Sequence, residues 1–141
     1  MQRLFNIFCV FVFLAFLVGC GSGKVPLGGK VTFSDTGEPL TKGTVAFLKG
    51  GEISRGTIQS DGTYTIGTER ETDGLPPGNY QVYISGSEKT ISIDAEKGND
   101  YEPQIAPKYE NPDTSGLTVE VDAKTKTFNI EVERVAPAGR R

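Results

Sequence analysis

The sequence predicts an all-β fold: a sandwich of seven or eight short antiparallel strands behind an N-terminal signal-peptide helix. Two observations carry that reading. Beyond residue 26 the apolar residues recur at every second position, with no stripe of 3.6-residue period, so each segment would bury one face and wet the other. Turn formers are abundant, with 18 Gly and 8 Pro among 141 residues, and many of them fall between the alternating segments. Such strands hide their apolar faces by packing sheet against sheet, and the length suits one domain.

The chain begins with an address. Met1-Gln2-Arg3 supplies one positive charge, and residues 4–18 are apolar apart from Asn6. The run is shorter than the roughly 20 residues of a spanning helix, follows a basic start and ends on small residues, as a secretory signal peptide does. Its end, Leu17-Val18-Gly19-Cys20, resembles a bacterial lipobox. The resemblance implies that a peptidase recognises Leu17, Val18 and Gly19 and cuts before Cys20 once that thiol carries a diacylglycerol. A covalent lipid on Cys20 would then be the membrane anchor, and no other cofactor is expected. Each buried CH₂ of an acyl chain adds about 0.8 kcal/mol, so two or more chains hold a protein stably on a membrane. Cys9 leaves with the leader, so the mature domain has no thiol for a disulfide, a nucleophile or a metal. Lipoproteins of this kind lacking Asp after the cysteine tend to reach the outer membrane, and Gly21 points there, to the periplasmic or surface face of a bacterial cell envelope. The expected organisation is a leader at residues 1–19, a lipidated Cys and flexible tether at 20–26, the sandwich at 27–135 and a mobile tail at 136–141.

The stretch 61–85 is the expected organising centre. It holds two strand patterns, Tyr64 with Ile66 and Tyr80 with Val82 and Ile84, read as a hairpin. Asp61-Gly62 signals a turn before the first. Leu75-Pro76-Pro77-Gly78 forms a rigid corner before the second, because two prolines cannot sit inside a sheet. Earlier segments pair Val31 with Phe33 and Val45 with Phe47, and residues 53–59 read as a weaker strand with Ile58 inward. Later ones pair Ile91 with Ile93, align Leu117, Val119 and Val121, and align Phe128, Ile130 and Val132, with 122–126 as a hairpin connection between the last two. Residues 96–116 break the rhythm: three prolines and no alternation predict a long loop, pinned to the sandwich by Tyr101, Ile105 and Tyr109.

Several of these segments carry a family likeness. Gly29-Lys30-Val31-Thr32-Phe33, Gly37-Glu38-Pro39-Leu40, Gly43-Thr44-Val45-Ala46-Phe47, Asp61-Gly62-Thr63-Tyr64 and Leu75-Pro76-Pro77-Gly78-Asn79-Tyr80 resemble the carboxypeptidase regulatory-like group. The resemblance implies a transthyretin-like (prealbumin-like) seven-stranded sandwich. Pro107-Lys108-Tyr109 and Ser115-Gly116-Leu117 are similar to small lipoproteins of that group from planctomycete-type bacteria. These motifs are turn and core residues, so they imply an accessory, binding or structural role and no reaction.

The residue inventory agrees. His is absent, which removes the commonest acid–base group and metal ligand, and no serine lies in a Gly-x-Ser-x-Gly context. The net charge of −3, without a basic face, gives no reason to bind nucleic acid. Asp94, Glu96, Asn99, Asp100 and Glu102 gather oxygen donors, but their spacing is not that of an EF-hand and reads first as a wet loop. Lys30, Asn129 and Glu131 supply the residue types of an isopeptide bond, with Lys30 and Asn129 on the polar phase of their strands. The expectation is a non-enzymatic, lipid-anchored module of the cell envelope that binds or supports an envelope protein. The alternative is a glycan- or peptide-binding module using the 96–116 loop, with Tyr83, Tyr101 and Tyr109 as its surface. A Cys20→Ala change should abolish lipid attachment and leave the leader in place; normal cleavage and membrane retention of that variant would overturn the lipobox reading.

Overall fold

The structure is a computed structural model that describes residues 23–135. In chain order the strands are β1 (Gly28–Phe33), β2 (Thr44–Lys49), β3 (Glu52–Thr57), β4 (Thr63–Thr65), β5 (Gly78–Ser85), β6 (Lys89–Asp94), β7 (Gly98–Glu102), β8 (Leu117–Val121) and β9 (Ile130–Val132). Seven of them form a sandwich of one sheet ordered β4-β1-β9 and another ordered β3-β2-β5-β8. The remaining two, β6 and β7, pair only with each other. An all-β sandwich is therefore what the alternating pattern specifies.

The inward positions follow the period-two reading. Val31, Phe33, Tyr64, Ile130 and Val132 of one sheet meet Val45, Phe47, Tyr80, Val82 and Ile84 of the other, all buried. At the centre, the Phe47 ring lies 6.4 Å from Tyr64, 6.1 Å from Tyr80 and 6.1 Å from Phe128, so one aromatic side chain joins both sheets. Such tilted and edge-on pairs add roughly 0.5–1.5 kcal/mol each beyond the buried area. Both tyrosine hydroxyls are satisfied: Tyr64 donates to the Phe128 carbonyl, and Tyr80 donates to the Pro76 carbonyl at 2.6 Å. That second bond explains the spacing of Pro-Pro-Gly and Tyr80, because the corner turns its carbonyl back onto the strand it feeds.

Four expectations need correction. β4 and β5 do not form a hairpin, since they lie in different sheets. The Asp61 carboxylate accepts from the Thr63 N–H and hydroxyl, and Gly62 (φ +83°) has no room for a side chain beside Pro39 and Val31, so the turn carries the chain from one sheet to the other. Residues 122–126 likewise cross between sheets: β8 pairs with β5, whereas β9 runs parallel to β1. The sandwich is thus not wholly antiparallel, because β1 and β9 both set out from the same end. β3 stops at Thr57 and turns Ser54 and Gly56 inward, with Ile58 buried beyond its end. A side chain on Gly56 would collide with the Thr65 carbonyl where the two sheets converge. Finally, Ile91 and Ile93 alternate as core residues do, yet they are exposed.

Phe47→Ala should lower the unfolding free energy in urea by about 3–5 kcal/mol, as deletion of a fully buried aromatic ring does. Tyr80→Phe should cost about 0.5–1.5 kcal/mol by removing one hydrogen bond. A Phe47→Ala change within about 0.5 kcal/mol of wild type, the size of a surface substitution, would remove Phe47 from the centre of the core.

Candidate functional site

The two ends of the sandwich differ. At one end the chain enters: Val25 and Leu75 exchange backbone hydrogen bonds of 2.8 and 3.1 Å, and Val25 is buried. Lys24 is held there too, its ammonium 2.7 Å from Asp73 and 3.5 Å from Glu69. The domain therefore takes in Lys24 and Val25, and the expected tether at 20–26 ends sooner. Asp73 also accepts from the Thr68 and Glu69 N–H groups, so one carboxylate closes the charged loop at 68–73 and ties it to the incoming chain. The Lys24 ammonium and these N–H groups hold its carboxyl well below the usual carboxylate range, and Asp73 in turn raises Lys24.

From that end β5 runs for eight residues, about 25 Å, to Ser85 at the opposite end. There the chain leaves the sandwich as the β6–β7 ribbon and returns at Ile105, which is fully buried and bridged to Arg134. The two roots are clamped together, for Gln104 donates to the Ser87 carbonyl and Lys42 donates to the Glu88 carbonyl. The ribbon itself is exposed. Its Ile91, Ile93 and Tyr101 are 59, 82 and 58% exposed, and they are the large apolar side chains left in solvent among the described residues. Ile93 stands opposite Asn99 and Tyr101 opposite Thr90, and a bulge at Ile91 resets the alternation. Asn99 and Tyr101, two apart on β7, share the face of Ile93. Residues 88–102 carry five acids against Lys89 and Lys97, so the ribbon is both apolar and acidic.

The three tyrosines expected to form one surface are placed apart. Tyr109 is buried under a short 3-10 turn (Pro107–Glu110), Tyr83 is half-buried opposite Ala46 on the outer face of the larger sheet, and Tyr101 is on the ribbon. Of the expected pins, Ile105 and Tyr109 are buried and Tyr101 is not. Part of the expected 96–116 loop is strand β7. Cys20 and the preceding Leu17, Val18 and Gly19 lie outside the described residues, as does the tail 136–141. Lys30 and Asn129 are exposed, and the Lys30 N–H donates to the Asn129 side chain. Among the described residues no group of three or more acids could hold a metal ion, and no helix is long and apolar enough to cross a membrane.

A cleft of about 510 Å³ lies alongside β3 and β4, walled by Arg55, Thr57, Gln59, Thr63, Thr65 and Glu71. Tyr64 is its one aromatic side chain, and burial pushes that phenol up, away from ionisation. The cleft brings together hydroxyls and two opposite charges, with neither a paired carboxylate nor a hydroxyl set against a base.

No protein-family model matches the sequence, and no curated protein matches it. Two solved structures align with part of the chain. A DUF3823 family protein from Bacteroides ovatus aligns with a TM-score of 0.46 at 17% identity, over 79% of this chain and 45% of that one. The major pilin subunit BcpA of Bacillus cereus aligns with a TM-score of 0.46 at 11% identity, over 79% of this chain and 30% of that one. This chain therefore spans less than half of either protein.

The Asp73 clamp has a defined pH signature. A carboxyl whose folded pKa is depressed adds stability that is complete above the unfolded value, near pH 4, and is lost as pH falls through the folded one. Asp73→Asn should therefore melt below wild type at neutral pH, with the gap closing as pH drops below about 4. Thermal melts across that range check this; a gap that persists unchanged in strong acid would show that the charge of Asp73 plays no part.

Proposed function

We propose that the chain is a non-enzymatic, lipid-anchored module of a bacterial cell envelope, held through Cys20 on the outer membrane, and that it docks a partner protein on the β6–β7 ribbon. One observation carries this reading: the exposed Ile91, Ile93 and Tyr101 sit together on a projecting ribbon at the end opposite the incoming chain. Clustered apolar side chains on an otherwise polar surface mark interaction sites. A lipid at residue 20 lies four residues before the Lys24–Asp73 clamp, so the anchored domain would present the ribbon away from its own membrane.

The turn and core residues that resemble the carboxypeptidase regulatory-like group support an accessory role, as do the missing histidines and the absence of a thiol from the mature domain. A protein is favoured over a glycan as occupant. With no Trp in the chain and Tyr101 as the ribbon's single aromatic ring, there is no stacking platform for a sugar, whereas the two isoleucines suit an apolar protein surface.

In-cell crosslinking of the tagged full-length protein, read by mass spectrometry, tests the reading. The double variant I91D/I93D should lose a specific crosslinked envelope protein at least tenfold while keeping its membrane level and melting temperature. Unchanged crosslinks in that variant would overturn ribbon docking.

A further inference from the structure

We propose that the outer edge of β7 accepts an extended segment of the partner as a third strand, and that the segment alternates apolar and basic residues. This rests on the docking reading above and names the chemistry of what docks. Among the described residues β7 is hydrogen-bonded to β6 alone, so along its other edge alternate residues turn N–H and C=O groups toward solvent. Unpaired strand edges are templates for main-chain pairing. β6 has a free edge as well, but the register shift between Thr90 and Ser92 breaks its regular spacing, whereas all five residues of β7 continue without interruption.

The side chains of β7 specify the incoming strand. Asn99 and Tyr101 share one face with Ile93, and Asp100 and Glu102 share the other. The Asn99 amide lies 3.5 Å from the Tyr101 hydroxyl, consistent with one common face. All five residues of β7 are exposed. Directly opposed side chains on neighbouring strands lie about 4.5–5.5 Å apart, so opposite charges there attract and like charges repel. A strand laid against β7 therefore meets Asn99 and the Tyr101 ring on one face, with Ile93 one strand further on, and two carboxylates on the other. Apolar residues at every second position satisfy the first face, and Lys or Arg between them satisfies the second. An acidic ribbon of this kind repels an anionic lipid surface, which separates the proposal from simple membrane contact.

The probe is a synthetic seven-residue peptide of alternating Val and Lys, titrated against the full-length protein in detergent. Two controls accompany it: a Val–Glu peptide, and the Val–Lys peptide with its main-chain nitrogens methylated. The Val–Lys peptide should bind. Main-chain methylation should weaken it at least tenfold, because the side chains remain and the donors are gone. The double variant D100K/E102K should lose the Val–Lys peptide at least tenfold and gain the Val–Glu peptide. Because E102K faces Lys89 across the ribbon, the single variant D100K is measured beside it and should shift the preference in the same direction. Equal binding of the methylated peptide would reduce the effect to surface charge and overturn strand addition. So would a preference that charge reversal does not move, or no binding at about 1 mM peptide, where even a contact worth about 4 kcal/mol registers. Loss of the cellular crosslink in I91D/I93D together with failure of the peptide would retain docking and reject this mode of it.

Discussion

The contact on which the sandwich depends is the Phe47 ring between its two sheets. It touches Tyr64 from one sheet, Tyr80 from the other and Phe128 from the segment that crosses between them. The arrangement is permissible because neither phenol hydroxyl is stranded: each donates to a backbone carbonyl that turn geometry has placed within reach. An unsatisfied buried hydroxyl costs about as much as a good core contact gains, so the carbonyls of Pro76 and Phe128 matter as much as the rings. This ties loop sequence to core packing. The Pro-Pro-Gly corner is at once a sheet terminator and the acceptor for the tyrosine that follows it.

Much of this was legible in the sequence because period two is set by the pleat itself. Val31 with Phe33, Val45 with Phe47, and Tyr80 with Val82 and Ile84 face inward as their spacing demands. Pairing was not legible. Two neighbouring strand patterns joined by a turn look the same whether the turn closes a hairpin or carries the chain to the other sheet, and β4 and β5 do the second. The parallel pairing of β9 with β1 was hidden for the same reason, since it follows from where 122–126 leaves the chain. The ribbon was the hardest element to see. Ile91 and Ile93 have the spacing of a buried strand, and whether that face is covered depends on the rest of the fold. β7 has no apolar alternation, so Gly98–Glu102 reads as loop until β6 is seen beside it. Its Tyr101 stands out in the sequence as a tyrosine of the 96–116 stretch, but nothing there separates it from Tyr83 and Tyr109, which the fold places elsewhere.

The ribbon is also an energetic exception. A two-stranded hairpin without a covering layer is marginal in water, and exposed isoleucines contribute little to holding it. What fixes it is at its roots: the buried Ile105, the Gln104–Ser87 bond and the reach of Lys42 to the Glu88 carbonyl. The opposite end is built the other way. There Lys24, Asp73 and the Val25–Leu75 bridge fasten the incoming chain onto a charged loop, a stiff junction in place of a swivel. Between the two ends runs β5, the longest strand among the described residues.

An open strand edge is normally a hazard, because the same edge on a second copy can pair with it. The charges on β7 answer that hazard by their sign. If β7 met β7 of another copy in antiparallel register about its central residue, Asp100 would stand against Asp100, and that pairing is unfavourable. The register displaced by two residues toward Glu102 would set Asp100 against Glu102 and repel as well. A strand carrying Lys or Arg at those positions meets the reverse sign at each of them. The acids therefore act first as a barrier to self-association, as charged residues on edge strands commonly do. Because the barrier is a sign and not a bulk, it lowers the energy of a basic strand by the same interaction that raises the energy of an identical one.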